Sequence, residues 1–212
     1  MHLYYLDDAK FMLRTEADII AHSVRDLPVD SEFIDMMMAS DTCYIPTLTR
    51  EVSTYVYESV PDFFEDPYFL KEVEPAILEQ LSSPERMSQV AGSRSAQTYK
   101  AQLPTAMDNV GTLHGQGIRI AMGTDTGPPA RFQGYFEHME MHMMVDAGLS
   151  PHDAIRASTG VAADCIGMGD IGTLEPGKWG DFSILTEDPV ADIRNSQSIE
   201  SVYIAGNLVP DE

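Results

Sequence analysis

Gly117-Ile-Arg-Ile-Ala-Met-Gly-Thr-Asp-Thr-Gly-Pro-Pro129 is the stretch that decides the fold. Ile118, Ile120 and Met122 alternate as the inward face of a short buried strand does. Gly123, Gly127, Pro128 and Pro129 then forbid further regular pairing, so Asp125 falls at or just past the C-terminal end of that strand. In α/β folds, ligands bind at that edge, because strand-to-helix loops converge there over a rigid sheet. A carboxylate in that position can hold a cation, take a proton, or cap the helix that follows. On these residues alone, capping is the commonest of the three.

The pattern upstream supports an α/β reading. Short apolar runs at Leu3–Leu6, Ala17–His22 and Thr42–Leu48 predict strands. Helical stretches lie between them, the second opened by Pro28 and Asp30 and carrying Phe33, Ile34, Met37 and Met38 at helical spacing. Strand, helix, strand, helix, strand with short links means parallel strands and crossover helices. From 49 to 104 the strand signal is lost among aromatic, acidic and proline residues. That length predicts helices of its own, forming a lid or substrate wall. Helices follow at 105–116, 135–147 and 150–158, the last marked by Ser150 as N-cap, Pro151 in the first position and Asp153 in the first turn. After Gly172 come a turn, a strand at 181–185, and a hairpin in which Ala205-Gly206 joins 199–204 to 207–209. The expected organisation is an α/β region over 1–171 and a small β element over 172–212.

Composition bounds the function. The 212 residues suffice for one substantial core, and 43% are hydrophobic. Acids number 34 against 13 bases, a net charge of −21, which argues against a nucleic-acid partner. The acids are spread along the chain, so they read as a solvated surface and not a tail. No apolar run is long enough for a membrane span, and no leader is expected from Met-His-Leu-Tyr-Tyr-Leu-Asp-Asp. Two cysteines, Cys43 and Cys165, make no disulfide framework; both are expected to be reduced, and the compartment cytoplasmic.

Six histidines occur. His2 opens the first expected strand and His22 ends the second. Imidazoles and a carboxylate gathered by neighbouring parallel strand ends are a normal ligand set for zinc or a similar divalent ion. Taken singly, His22 reads as a strand-end histidine bonded to backbone. His138 and His142 stand four apart on one helix face, His-Met-Glu-Met-His, which lacks the glutamate of the metalloprotease motif directly after the first histidine. Helix histidines are more often structural than ligating, although a helix-borne zinc site at this pair is the alternative. Glu137 and Glu140 read as ordinary helix charges unless that helix faces the pocket. The methionines at 36–38 and at 139, 141, 143 and 144 read as adaptable core packing.

Taken together, Ile-Ile-Ala-His22-Ser-Val-Arg25-Asp, Tyr44-Ile-Pro-Thr-Leu and Ala121-Met-Gly-Thr-Asp125-Thr-Gly resemble the amidohydrolase superfamily, in its imidazolonepropionase- and prolidase-like branch. Asp146-Ala-Gly-Leu-Ser-Pro, Ala154-Ile-Arg-Ala-Ser-Thr, Gly172-Thr-Leu-Glu-Pro-Gly-Lys-Trp-Gly-Asp-Phe and Val202-Tyr-Ile-Ala-Gly-Asn-Leu-Val extend the likeness almost end to end. The resemblance implies a (β/α)8 TIM-type barrel with one or two divalent metals, zinc among them, at the C-terminal strand ends. It assigns His2, His22 and Asp125 to the metal, and Asp125 also to proton shuttling. It places His138 near substrate, with Arg25 and Tyr55 as further substrate contacts, and it makes 172–212 strands of a small β-sandwich.

The resemblance implies strands five to eight only. The family's His-x-His motif on strand one and its strand-four lysine or glutamate have no counterpart here, and a barrel needs roughly 250 residues. The expected entity is the C-terminal half of a hydrolase acting on amide, peptide or cyclic amide bonds, inactive until a missing N-terminal half or a second copy completes it. The alternatives are one half of a split enzyme, or a non-catalytic half-barrel that dimerises as a binding or scaffold protein.

Overall fold

The computed structural model describes residues 3–210. His2, one of the expected metal ligands, lies outside the described residues. Helix α1 (Leu6–Leu13) carries Asp7 and Asp8 in its first turn, where the helix dipole favours acids, and buries Leu6, Ala9 and Leu13. Strand β1 (Ile19–Ala21) follows, then α2 (Ser31–Ala39), whose N-cap Asp30 accepts from the Phe33 amide at 2.9 Å. Lys10 ties α1 to α2 through Asp30 (2.6 Å) and Glu32 (2.8 Å). Strand β2 (Cys43–Ile45) lies parallel to β1, in the register Ile19–Cys43, Ile20–Tyr44 and Ala21–Ile45.

The segment around Ile120 joins on the other side of β2. Tyr44 donates its amide to Arg119 O (2.9 Å) and accepts from Ala121 N (3.0 Å), a parallel bridge without a full strand. Three parallel segments thus stand side by side in the order β1, β2, Ile120. The expected strand at Leu3–Leu6 is not one: residues 3–5 are irregular and Leu6 already begins α1. The other expected parallel strands are shortened to three residues or a single bridge.

The stretch after β2 is helical, as expected, but its boundary moves. Helix α3 (Leu48–Ser53) is followed by three short 3-10 turns, then α4 (Pro75–Leu81), α5 (Pro84–Ala91) and α6 (Arg94–Gly115). Helix α6 carries Pro104 in its interior, so the expected break there is absent. This insertion has its own core of Tyr57, Phe64, Phe69, Leu81, Val90 and Ala96. Asn109 on α6 binds the loop after β1, donating to Val24 O and Leu27 O (2.9 Å each) and accepting from Val29 N (2.8 Å). Gly111 lets α6 pass close to the following chain, since a Cβ there would come within 2.2 Å of Ala147 O.

Helices α7 (Tyr135–Asp146) and α8 (Pro151–Ser158) complete the main core with Ile20, Tyr44, Leu48, Val110, Leu113 and Met144, and α9 (Gly160–Cys165) follows, burying Ala163. The methionines pack as expected on α7, where Met141, Met143 and Met144 are buried, whereas Met38 is exposed. The last segment forms an antiparallel sheet in the order β3 (Phe182–Leu185), β4 (Ile199–Ile204), β5 (Asn207–Leu208), with Phe182 stacked on Tyr203. The architecture is α/β with partial sheets, consistent with part of a barrel.

One expectation is overturned. Cys43, at the start of β2, and Cys165, at the end of α9, form a disulfide with Cα atoms 5.8 Å apart. Their sequence separation of 122 residues hid the contact, since spacing carries no information on pairing. Disulfides persist mainly in oxidising compartments, so the ground for a cytoplasmic assignment is removed. No helix among the described residues is long and apolar enough to cross a membrane.

Candidate active site at the parallel strand ends

His22, Thr47 and Asp125 follow the three parallel segments at their C-terminal ends, and each adopts a left-handed backbone, with φ of 73°, 50° and 56°. Non-glycine residues pay for that conformation, and it recurs where a side chain must be aimed out of a strand. His22 is buried; its amide donates to Ile45 O (2.8 Å) and its Nδ1 pairs with Thr47 Oγ1 (2.7 Å). Asp125 lies beyond the Ile120 bridge, in irregular chain.

Asp125 is held by arginines. Its Oδ2 accepts from Arg131 Nη1 at 2.6 Å and lies 3.8 Å from Arg50 Nε. Arg131 is fixed in turn, with Nη1 also donating to Asp125 O (2.9 Å) and Nε donating to Ser53 Oγ (3.0 Å). Arg50 Nη1 reaches Glu51 (3.3 Å) and Tyr99 OH (3.1 Å). Arg25 completes the network from below, with Nη1 2.9 Å from Glu51 Oε1 and its guanidinium sandwiched between the Tyr4 and Tyr99 rings at 4.3 and 4.4 Å. Arg25 is only 2% exposed, its guanidinium paired with Glu51, which speaks against its expected role as a substrate contact. Burial pushes the Glu51 carboxyl up to about 6, against the opposing pull of Arg25 and Arg50.

Two glutamates of α7 are more than the helix charges expected. Glu140 is fully buried; its Oε1 accepts from Leu48 N and its Oε2 from Thr49 N and Thr49 Oγ1, all at 2.7 Å. Helix α3 has no side-chain cap of its own, and Glu140 supplies one from another helix. Burial raises its carboxyl to about 7, opposed by the hydrogen bonds from Thr49 and Leu48. Glu137 accepts from the Thr124 and Thr126 hydroxyls (2.8 Å each) and from Gly134 N (2.7 Å), bracing both sides of Asp125. A helix-spaced glutamate facing a strand-end loop has no local sequence signature, so neither role was legible.

His138 sits elsewhere on α7, its Nε2 3.1 Å from Tyr68 OH and its Nδ1 2.8 Å from Ser196 Oγ. Burial, with nearby His142, lowers it to about 4. It lines a cleft of about 730 Å³ against β3 and β4, whose walls include neither His22 nor Asp125. Tyr55 is half-buried between the two cores. A second cleft, of about 1050 Å³, runs between α4, α5 and residues 127–133, with Arg131 on its wall.

A structural zinc needs four ligands, and a catalytic one three plus water. Among the described residues no group of three or more His, Cys, Asp or Glu could hold a metal ion. Asp125 is ion-paired, and among the described residues the orphaned buried polar atoms are Arg25 Nε, Arg50 Nε and His142 Nε2, none of them a strand-end donor. The described residues therefore do not fit a complete metal centre.

Residues 15–209 match the profile of the amidohydrolase family. The fold is shared with solved structures. A Xaa-Pro dipeptidase with methionine bound in its active site is 21% identical with a TM-score of 0.69, over 97% of this chain and 43% of that one. A prolidase complexed with N-methylphosphonate-L-proline is 18% identical with a TM-score of 0.72, over 100% and 44%. The A. niger ochratoxinase is 22% identical with a TM-score of 0.64, over 94% and 38%. The chain spans less than half the length of each of these structures.

Proposed function

Because the chain belongs to the amidohydrolase family, we propose that it is the C-terminal part of a hydrolase that cleaves carbon–nitrogen bonds in small amides or dipeptides. What supports this is the family match from 15 to 209, which includes Asp125 in the loop beyond the Ile120 bridge. Asp125 takes a proton from the attacking water and hands it to the leaving nitrogen. His2 and His22 are, with Asp125, the ligands this chain contributes to a divalent ion, zinc by preference. The remaining donors come from outside the chain, supplied by an N-terminal half or a partner copy. His138 and Tyr55 belong to the walls of the substrate site. The solved relatives that bind methionine or a proline analogue support a small substrate.

The purified chain, given zinc and a panel of Xaa-Pro dipeptides and N-acyl amides, is expected to turn nothing over alone. Adding a separately expressed N-terminal half from a prolidase relative is expected to restore turnover, and Asp125→Asn to abolish it. Turnover by the lone monomer overturns the incomplete-barrel reading. A metal-free homodimer that stays inactive in every mixture favours the scaffold alternative.

A further inference from the structure

We propose that Cys165 is a site of thiol–disulfide exchange for neutral and cationic thiols, and that its bond to Cys43 is a redox latch on the stretch from 164 to 181.

Burial shows what the latch holds. In α9 only Ala163 is buried, and from Asp164 to Asp192 no residue is, until Ile193 re-enters the main core. Apolar burial therefore does little to fasten this stretch to the parallel segments. The disulfide does so instead, through Cys43, which is 1% exposed at the start of β2. The hydrogen bonds of the stretch are short-range: Ile166 N, Gly167 N and Met168 N donate to Ala162 O, Asp164 O and Ala163 O, and Trp179 donates to Asp170 from both its nitrogens. A segment with so little burial falls to the low end of local stability once its covalent tie is cut.

The bond is also within reach of solvent. Cys165 is half-buried, and both cysteines line an open cleft of about 620 Å³ at the starts of β1 and β2, the end opposite His22 and Thr47. A thiolate in the cleft attacks Cys165 Sγ and forms a new S–S bond; the old bond breaks, and its electron pair leaves on Cys43 Sγ, which takes a proton from water. A second thiolate attacks the external sulfur of the mixed disulfide and releases Cys165 as a thiolate, so one disulfide is reduced while two thiols are oxidised. Charge selects the thiol. Asp18, Asp41 and Asp164 stand exposed on the cleft wall against Arg119 alone, which already donates to Asp41 O and lies 3.9 Å from its carboxylate. The wall is net negative in a chain of charge −21, so it repels anionic thiols and draws cationic ones.

The test reduces the native full chain, without denaturant, with cysteamine, 2-mercaptoethanol or 2-mercaptoethanesulfonate. Each rate is divided by that for bis(2-hydroxyethyl) disulfide, which removes intrinsic differences between the thiols. Cysteamine is expected to exceed the sulfonate by about tenfold at ~0.01 M salt, with the gap closing near ~1 M. After acid quenching, peptide mass analysis is expected to find cysteamine on Cys165 and a free thiol on Cys43. In brief hydrogen-exchange labelling, the amides of 164–181 are expected to exchange about tenfold faster once the chain is reduced, while α6 stays protected. The double variant Cys43→Ser, Cys165→Ser is expected to exchange like the reduced chain with no thiol present. Reduction that needs denaturant, rates indifferent to thiol charge, or an adduct on Cys43 overturns the proposal. So does a chain that unfolds when reduced or when both cysteines are replaced, since the bond is then a staple of the whole fold. None of these outcomes bears on hydrolysis.

Discussion

Glu140 Oε2 on α7 lies 2.7 Å from both the amide nitrogen and the hydroxyl of Thr49, so one buried carboxylate caps the start of α3 from a helix ninety-one residues away in sequence. Thr47 at the N-cap position is left-handed and makes no side-chain cap bond, so no local residue can take over. Removing the carboxylate strands two buried amides and a hydroxyl. Glu140→Ala is expected to destabilise the chain by about 2–5 kcal/mol, the sum of more than one unsatisfied buried donor. Denaturant unfolding measures it, and a loss under about 0.5 kcal/mol refutes the capping role.

The same residue sets a pH dependence. Its carboxyl is raised from an ordinary 4.5 to about 7 by burial, so the folded chain binds more protons than the unfolded chain between those values. Stability contributed by this group is fully present below about 4.5 and is lost as the pH rises through about 7. His138, lowered from 6.5 to about 4, acts with the opposite sign, its contribution growing as pH rises across that interval. The wild-type curve alone mixes these two with Glu51, raised to about 6. The stability difference between wild type and Glu140→Gln is therefore the quantity to follow. It is expected to shrink from pH 4.5 to 7 and stay flat above.

His138 provides a direct check on its own surroundings. Both ring nitrogens are engaged, by Tyr68 and Ser196, inside a cleft that disfavours the imidazolium. An NMR titration is expected to find its midpoint near 4 and the ring neutral at pH 6. Tyr68→Phe removes one partner without exposing the ring, and is expected to move the midpoint little, since burial is the leading cause. A midpoint near the ordinary 6.5 in the native chain would place His138 in solvent.

Arg25 and Glu51 make a different kind of demand. Both are at most 2% exposed, and their 2.9 Å contact is the shortest that Glu51 has with its two arginines. Breaking a buried pair from one side leaves an uncompensated charge, which costs about 3–5 kcal/mol. Arg25→Ala is thus expected to destabilise by about that much, with loss of the Tyr4–Tyr99 sandwich included. Replacing both partners, Arg25→Met with Glu51→Leu, is expected to recover most of it. Urea unfolding of the four members of the cycle decides the matter. Additive losses would show that the two residues are not coupled.

What the sequence made legible follows from how locally each feature is encoded. Ser150-Pro151 marks a helix start by capping chemistry, present where expected, while the strand expected before Asp125 is reduced to the bridge at Ile120. The parallel pairing of 19–21, 43–45 and Ile120 was legible because alternating strands and helices leave little choice of topology. Leu3–Leu6 misled because four apolar residues fit a strand or the first turn of a helix equally well. Long-range partners were out of reach. Nothing around Glu140 names Thr49, nothing around Arg131 names Asp125 as its partner, and Arg25 reads as a polar strand-end residue until its burial is known.

The pairing of Cys43 with Cys165 is the furthest such departure, and it sets the last prediction. The bond ties the start of β2 to the end of α9 across 122 residues, so it restricts the unfolded chain over more than half its length. Closing so long a loop contributes about 2–4 kcal/mol in practice. For a chain of this size each 1 kcal/mol moves the midpoint by about 2–4 °C. Cys165→Ser is therefore expected to lower the thermal midpoint by about 4–16 °C, and dithiothreitol to do the same to the native chain and nothing further to the variant. Thiol titration of the unfolded, non-reduced protein is expected to find no free cysteine, and two after reduction. Two free thiols before reduction, with a midpoint indifferent to dithiothreitol, would restore the reduced state that the sequence suggests and with it the ground for a reducing compartment.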